Sequence, residues 1–238
     1  MVGASRFVRG AVGVTGELLI TAGVLLLLFL TWQLWWTDVR AVAAQGARTD
    51  QLQRDWDVSV AEALPRPDPS TDAADPPVVP GPAEGETFAI VHVPRFGDDY
   101  APRPVLEGVT QDVLREGVGH YPGTALPGAI GNLALAGHRV TYGKPLNQIE
   151  ELRAGDAVVV ETQQAWFTYR VTSTRIVLPQ DVDVIAAVPG DPLATPTERM
   201  LTLTTCHPMF SARQRYIVHA ALDEWQPRAE GTPASLGP

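Results

Sequence analysis

The sequence predicts an all-β domain with short helices, an eight-stranded barrel, preceded by one N-terminal transmembrane helix and a disordered Pro-rich linker. Three observations carry this. The first is the run LLITAGVLLLLFLTWQLWW over 18–36, which has no charged residue and is long enough to cross a bilayer core of about 30 Å at about 1.5 Å per residue. The second is the segment LPRPDPSTDAADPPVVPGPAEGE, whose proline, acid and small residues cannot bury a core. The third is the remainder, where many short apolar runs are broken by Gly and Pro, each present 21 times in the chain, the rhythm of strands and turns.

Taken in order, residues 1–15 read as a cytoplasmic N-terminus and 16–36 as the membrane helix. Arg6 and Arg9 precede the apolar run, and Trp32, Trp35 and Trp36 gather at its far end, where indole rings favour the water interface. This orients the N-terminus inward and the rest of the chain outward, a single-pass cell-membrane protein with an extracellular domain. A cleaved signal peptide is the competing reading; the length of the run and its Trp-rich end favour a retained anchor. Residues 37–84 read as a polar, Ala-rich helical stalk followed by the Pro/Asp-rich linker, 85–226 as the folded domain, and 227–238 as a disordered tail without apolar pattern.

Within the domain, strands are expected near 87–93, 103–106, 132–136, 156–162, 165–172, 174–178, 200–205 and 215–222. Helical turns are expected near 110–116, 145–152 and 182–187. In PLNQIEELRAGD, Leu146, Ile149 and Leu152 recur at helical spacing, and Gly155-Asp156 makes a turn into the alternating strand AVVVET. About eight strands of this length suit a closed barrel.

The net charge of −9 argues against a nucleic-acid partner, since a phosphate-binding surface needs clustered Lys and Arg. A single cysteine excludes an intrachain disulfide. An unpaired thiol in an oxidising compartment is a chemical liability, and catalysis is one reason to keep it.

In LTLTTC the pleat sends Leu201 and Leu203 to one face and Thr202, Thr204 and Cys206 to the other. Free cysteines are mostly buried and inert, so the position matters more than the residue type. A useful thiolate needs a base close in space. His138 is the best placed of five histidines: it follows the strand NLALAG as Cys206 follows LTLTT, so parallel pairing of the two strands would bring both to one barrel edge. His92 and His219 lie inside strands, and His207 should point away from Cys206. His120, in GVGHYPGT, reads as a loop residue able to line a cleft. Arg215 opens the last strand after the connection HPMFSARQ, and a hairpin-like return would set it beside Cys206, where a guanidinium would stabilise an oxyanion. Arg213 competes for that role, Arg139 is tied to the histidine loop, and the bland reading of all three is solvated surface charge. Neither H-E-x-x-H nor G-x-S-x-G occurs, so metallohydrolase and serine hydrolase chemistry are disfavoured.

TLTTC followed by RYIVHA, with LAGHR upstream, resembles the bacterial sortases over about 85–225. The segments YPGTALPGAIGNLALAGHRVTYG and TLTTCHPMFSARQRYIVHA are most similar to the class E sortases of actinobacteria. The resemblance implies a sortase-type barrel and a triad of Cys206, His138 and Arg215, the last chosen over Arg213 because the family's arginine directly precedes the apolar residues of the final strand. It implies a cysteine transpeptidase that cuts an LPxTG-like sorting signal between Thr and Gly through a thioester and passes the acyl group to an amine of a cell-wall precursor. No metal or organic cofactor is implied. Tyr142 matches a position linked to LAxTG-type signals, and Thr205 to a part in the oxyanion hole. Asp68-Pro69 is followed by Ser70 rather than an aromatic residue, and the tail holds no second span, which favours housekeeping anchoring over pilus building. A tethered, non-catalytic binding module and a plain cysteine peptidase are the rival readings.

Overall fold

In the computed structural model, residues 2–62 and 75–237 are described, and they fall into two compact units, 1–40 and 41–238. Helix α1 (Val2–Glu62) contributes to both. Between Leu18 and Leu30 its side chains are apolar apart from Thr21, and exposed, Leu25 at 60% and Leu27 at 66%. It is the one described helix long and apolar enough to cross a membrane, with a window of mean hydropathy 2.1. The indoles of Trp32 and Trp36, one turn apart, stack at 6.3 Å.

The second unit is a closed barrel. Its strands are β1 (Thr87–His92), β2 (Arg103–Glu107), β3 (Val118–His120), β4 (Gly131–Ala136), β5 (Ala157–Glu161), β6 (Ala165–Val177), β7 (Arg199–His207) and β8 (Gln214–Pro227). Around the barrel they run β1-β2-β3-β4-β7-β8-β6-β5. Two neighbouring pairs, β2 with β3 and β4 with β7, are parallel, and the others are antiparallel. The crossover between β2 and β3 is the short helix α2 (Gln111–Glu116), capped by the Thr110 hydroxyl, which accepts from Val113 N.

Alternation fills the interior. Leu133, Leu135, Leu201, Leu203, Phe167, Tyr169, Val218 and Ala220 send their side chains into one continuous core. Leu146, Ile149 and Leu152, expected at helical spacing, are buried in that core around a single 3-10 turn at Ile149–Glu151. No long helix is needed to bury them.

The eight strands are not the eight expected. The strands expected at 165–172 and 174–178 are one strand, β6, which ends at Val177, pairs with β8 along its length and is bulged between Val171 and Ser173. The extra residue flips the pleat: Val171 faces the core, while Val177, of the same parity, packs outside with Val184 and Ile217. The strand that completes the count is β3, three residues in a Gly-rich stretch that lacks strand composition. There Gly119 is required by close approach, since a Cβ would lie 2.4 Å from the Gly108 carbonyl oxygen.

The flanks also differ from expectation. Residues 41–62, expected as stalk, belong to the barrel unit. Trp56 is buried with the Arg228 guanidinium 5.5 Å from its ring, Arg228 bonds Asp57 at 2.7 Å, and Gln53 donates to Glu161 at 2.9 Å. Of the expected linker, 63–74 lie outside the described residues. Beyond them Asp75 pairs with Arg199 at 2.6 Å and Val79 packs on the core. The tail expected to be disordered holds two 3-10 turns, Arg228–Glu230 and Ala234–Leu236, because Leu236 covers Ala157, Val159 and Trp166.

On the outer face of the barrel, His219 donates from Nδ1 to the Thr202 hydroxyl at 2.9 Å, and Thr202 donates to Asn132 Oδ1 at 2.8 Å. Thr202 donates its only proton to Asn132, which fixes His219 as the Nδ1–H tautomer. Its Nε2 is buried without a partner. Burial first, and the Arg175 charge second, push its pKa down to about 4.

Two outcomes test this architecture. Replacing Leu203 by Ala should cost about 2–5 kcal/mol in urea unfolding, since it opens a cavity in a closed core; a loss below about 1 kcal/mol would mean the site can collapse. Because His219 is neutral when folded and takes a proton more readily when unfolded, its contribution is complete above the ordinary pKa of 6.5. It is lost as pH falls from there toward about 4. Thermal stability of His219→Asn should therefore decline less than that of the parent chain between pH 6.5 and 4.5, and equal slopes would refute the assignment.

Candidate active site

The parallel β4–β7 pair ends with Ala136 opposite Thr204. One residue further, Gly137 N donates to Thr204 O at 3.1 Å, and the Thr205 hydroxyl donates to Gly137 O at 2.6 Å. His138 and Cys206 are therefore each two residues beyond the last pair, on neighbouring strands that point the same way. In the β7–β8 hairpin Cys206 lies opposite Arg215 in the register. Two ladders thus bring His138, Cys206 and Arg215 to one end of the barrel.

Cys206 is the free cysteine and is half-buried. The Arg215 guanidinium donates from Nη1 to the carbonyls of Ala212 and Gln214, both at 3.0 Å, and so is held by the turn that precedes its strand. Arg213 lies in that turn and is exposed. At the rim of the turn Phe210 is 88% exposed.

His138 is half-buried, and its Nε2 is shielded from solvent with no hydrogen-bond partner. The Tyr142 ring packs 5.1 Å from it, and the Arg115 guanidinium lies 5.3 Å from the centre of the Tyr142 ring. Burial first, and then the Arg115 charge, hold the His138 pKa below its ordinary 6.5. The ring is therefore neutral at pH 7 and carries a nitrogen able to accept a proton.

Arg139 departs from the surface reading. It is 3% exposed and reaches across to β7, with Nη1 donating to Cys206 O at 3.4 Å and lying 3.0 Å from His207 Nδ1. Its Nη2 pairs with Glu150 at 2.7 Å, and Glu150 also contacts His207 Nδ1 at 2.9 Å. The Arg139 hydrogen bond leads the causes that lower the Glu150 pKa. A buried guanidinium needs such a partner. It ties the histidine loop to the cysteine strand from behind. The only sequence signal for it is its adjacency to His138.

The remaining expectations divide. Tyr142 packs against His138, its ring tilted by 45° to the imidazole. The Thr205 side chain is 3% exposed, and its hydroxyl is spent on the Gly137 carbonyl. His120 is not a cleft-lining loop residue: it sits in β3, 2% exposed, opposite Leu135. Both its ring nitrogens are engaged, Nδ1 with Glu107 at 2.5 Å and Nε2 with Thr124 Oγ1 at 2.9 Å and Ala125 O at 3.1 Å. The Gly-rich context hid the strand that buries it. His92 contacts Glu161 at 3.0 Å beside Trp166. Among the described residues, no three His, Cys, Asp or Glu side chains form a metal-ligand group.

Comparisons with known proteins point to one family. A family model described as the Sortase domain matches residues 91–223. Sortase SrtE1 of Streptomyces coelicolor is 40% identical over 230 residues, which cover 93% of this chain; the chain spans 60% of that relative's length. The solved SrtA sortase from Actinomyces oris superposes with a TM-score of 0.67 at 41% identity, covering 70% of this chain and 96% of its own. The structure of sortase E1 from S. coelicolor with a tripeptide in the active site gives 0.59 at 38% identity, over 65% of this chain and 99% of its own.

Proposed function

The chain belongs to the sortase family, cysteine transpeptidases that anchor proteins to the cell wall, and from that premise we propose that it is itself such a transpeptidase, with Cys206 as nucleophile, His138 as acid/base and Arg215 as oxyanion stabiliser. The observation that carries the reading is the shared barrel end: β4 and β7 run parallel and β7 and β8 antiparallel, in a register that brings these three residues together. A neutral His138 beside a thiol is in the protonation state needed to draw the proton from sulfur.

The Cys206 thiolate attacks the carbonyl of the Thr–Gly bond in an LAxTG-like or LPxTG-like sorting signal. The carbonyl oxygen becomes an oxyanion, and Arg215, released from the turn carbonyls it bonds in the free enzyme, donates to it. Collapse of this intermediate breaks the C–N bond as protonated His138 gives its proton to the departing glycine amine, leaving a thioester on Cys206. An amine of a peptidoglycan precursor then attacks the thioester, with His138 taking the amine proton, and the thiol is released. The tripeptide in the active site of the S. coelicolor relative supports a peptide as substrate class. To Tyr142, packed on His138, we assign a part in the preference for Ala or Pro in the signal. Thr205, whose hydroxyl donates to the Gly137 carbonyl, is assigned to the oxyanion side of the site. The apolar, unburied part of α1 supports a membrane anchor, Arg6 and Arg9 before it support the barrel on the outer side, and we read the role as housekeeping anchoring of secreted proteins.

Mass spectrometry of the full chain in detergent, mixed with LAxTG and LPxTG peptides and a glycine-type amine, should show cleavage between Thr and Gly and a ligated product that depends on the amine. Cys206→Ala should form no thioester while keeping the fold; full ligation by that variant would refute the mechanism. Arg215→Ala should lower kcat/KM by about 2–4 kcal/mol of transition-state stabilisation, and Arg213→Ala far less. Equal losses would remove Arg215 from its role.

A further inference from the structure

We propose that Gln45, on the part of α1 that belongs to the barrel unit, is a positioning residue for His138: its amide clasps the backbone carbonyls of Tyr142, which packs on the His138 ring, and of Arg115, which packs on Tyr142. The proposal rests on the reading of His138 as the acid/base.

Gln45 is 1% exposed, although it lies on a helix that precedes the barrel and outside the residues matched by the family model. Its Nε2 donates to Tyr142 O at 2.9 Å and to Arg115 O at 3.2 Å, and its Oε1 accepts from Arg103 Nη1 at 3.1 Å. The orientation of the amide follows from chemistry, since only the nitrogen can donate to carbonyls and only the oxygen can accept from a guanidinium. All three partners are more than 50 residues away in sequence. The side chains on the two clasped carbonyls are those around His138: Tyr142 packs on the ring and Arg115 packs on Tyr142.

Two further observations belong to the same contact. Tyr142 holds a left-handed backbone, φ 52°, which a non-glycine residue keeps only where its surroundings hold it. The bond from Gln45 to Tyr142 O is one such hold. Gly143 follows with φ 77°, and a Cβ there would meet Gln45 Oε1 at 3.1 Å and Nε2 at 3.3 Å. The glycine leaves room for the amide. A neighbouring bond on the same helix, from Arg48 to Glu116, docks α1 on α2 without touching the histidine loop.

The charged and titratable groups around His138 are Arg115 from α2, Tyr142 from its own loop, and Cys206 and Arg215 at the ends of β7 and β8. Loosening the clasp lets Tyr142 and Arg115 move off the ring. His138 then gains solvent and loses a nearby positive charge, and both changes raise its pKa toward the ordinary value.

The test uses the full chain in detergent with labelled histidine, the His138 resonance being identified by its loss in His138→Gln. In Gln45→Met, which keeps size and burial but not the hydrogen bonds, the His138 pKa should rise toward 6.5. With a sorting-signal peptide, kcat should fall about tenfold with KM nearly unchanged. Gly143→Ala, which crowds the amide from the barrel side, should move both readouts in the same direction and covers the case in which Gln45→Met does not fold. Arg48→Ala should move neither. An unchanged His138 pKa in folded Gln45→Met or Gly143→Ala, with only thermal stability reduced, would overturn the proposal. Because the ring titration is read without turnover, it is independent of whether Cys206→Ala removes ligation, so failure of the positioning role and failure of the transpeptidase reading give different results.

Discussion

The parallel pairing of β4 with β7 is the constraint on which the rest of the site depends. Antiparallel neighbours joined by a tight turn bring together residues close in sequence. A parallel pair instead brings together the same ends of two distant strands. Here it aligns Ala136 with Thr204, so whatever follows each strand emerges at the same rim. The β7–β8 hairpin then adds a third residue to that rim by the ordinary antiparallel route. The core beneath, with Leu133, Leu135, Leu201 and Leu203 on the inner face of the same two strands, holds the register, because a slip of one residue would turn these leucines outward.

Around this framework the polar contacts act as braces. Thr205 and Arg139 fasten the histidine loop to the cysteine strand, one through a hydroxyl on the Gly137 carbonyl and the other through a guanidinium shared with the Cys206 carbonyl and Glu150. Each brace is buried, so its removal would leave an unsatisfied group as well as a lost bond. The His138 ring, by contrast, has a shielded nitrogen with no partner. Unpartnered polar atoms are exceptions in protein interiors, and this one sits where the proposed mechanism exchanges a proton.

Much of this is legible in the chain because the relevant patterns are local. The apolar run of α1, the alternation in AVVVET and LTLTT, and the spacing of Leu146, Ile149 and Leu152 each state a burial pattern within a few residues. Cys206 and His138 could be singled out because each borders such a pattern, whereas Arg215 was separated from Arg213 only by the family resemblance. What escaped depends on partners elsewhere. In β3, Val118–His120 is strand only because β2 and β4 flank it. The bulge in β6 changes the pleat without any change in composition, and so reads as a break between two strands. Gln45 and Arg139 look like surface residues until the groups that satisfy them are known, and His120 looked accessible because the ladder around it was not foreseen.

The brace from Thr205 to Gly137 joins positions 68 residues apart. Closing a loop of that size costs chain entropy that is recovered only when the intervening strands are in place. Until then Cys206 lacks His138 at its side, since the two meet only through the β4–β7 pairing. Under the proposed mechanism, activation of the thiol is thus coupled to closure of the barrel, and a chain that has not finished folding carries the cysteine without its base.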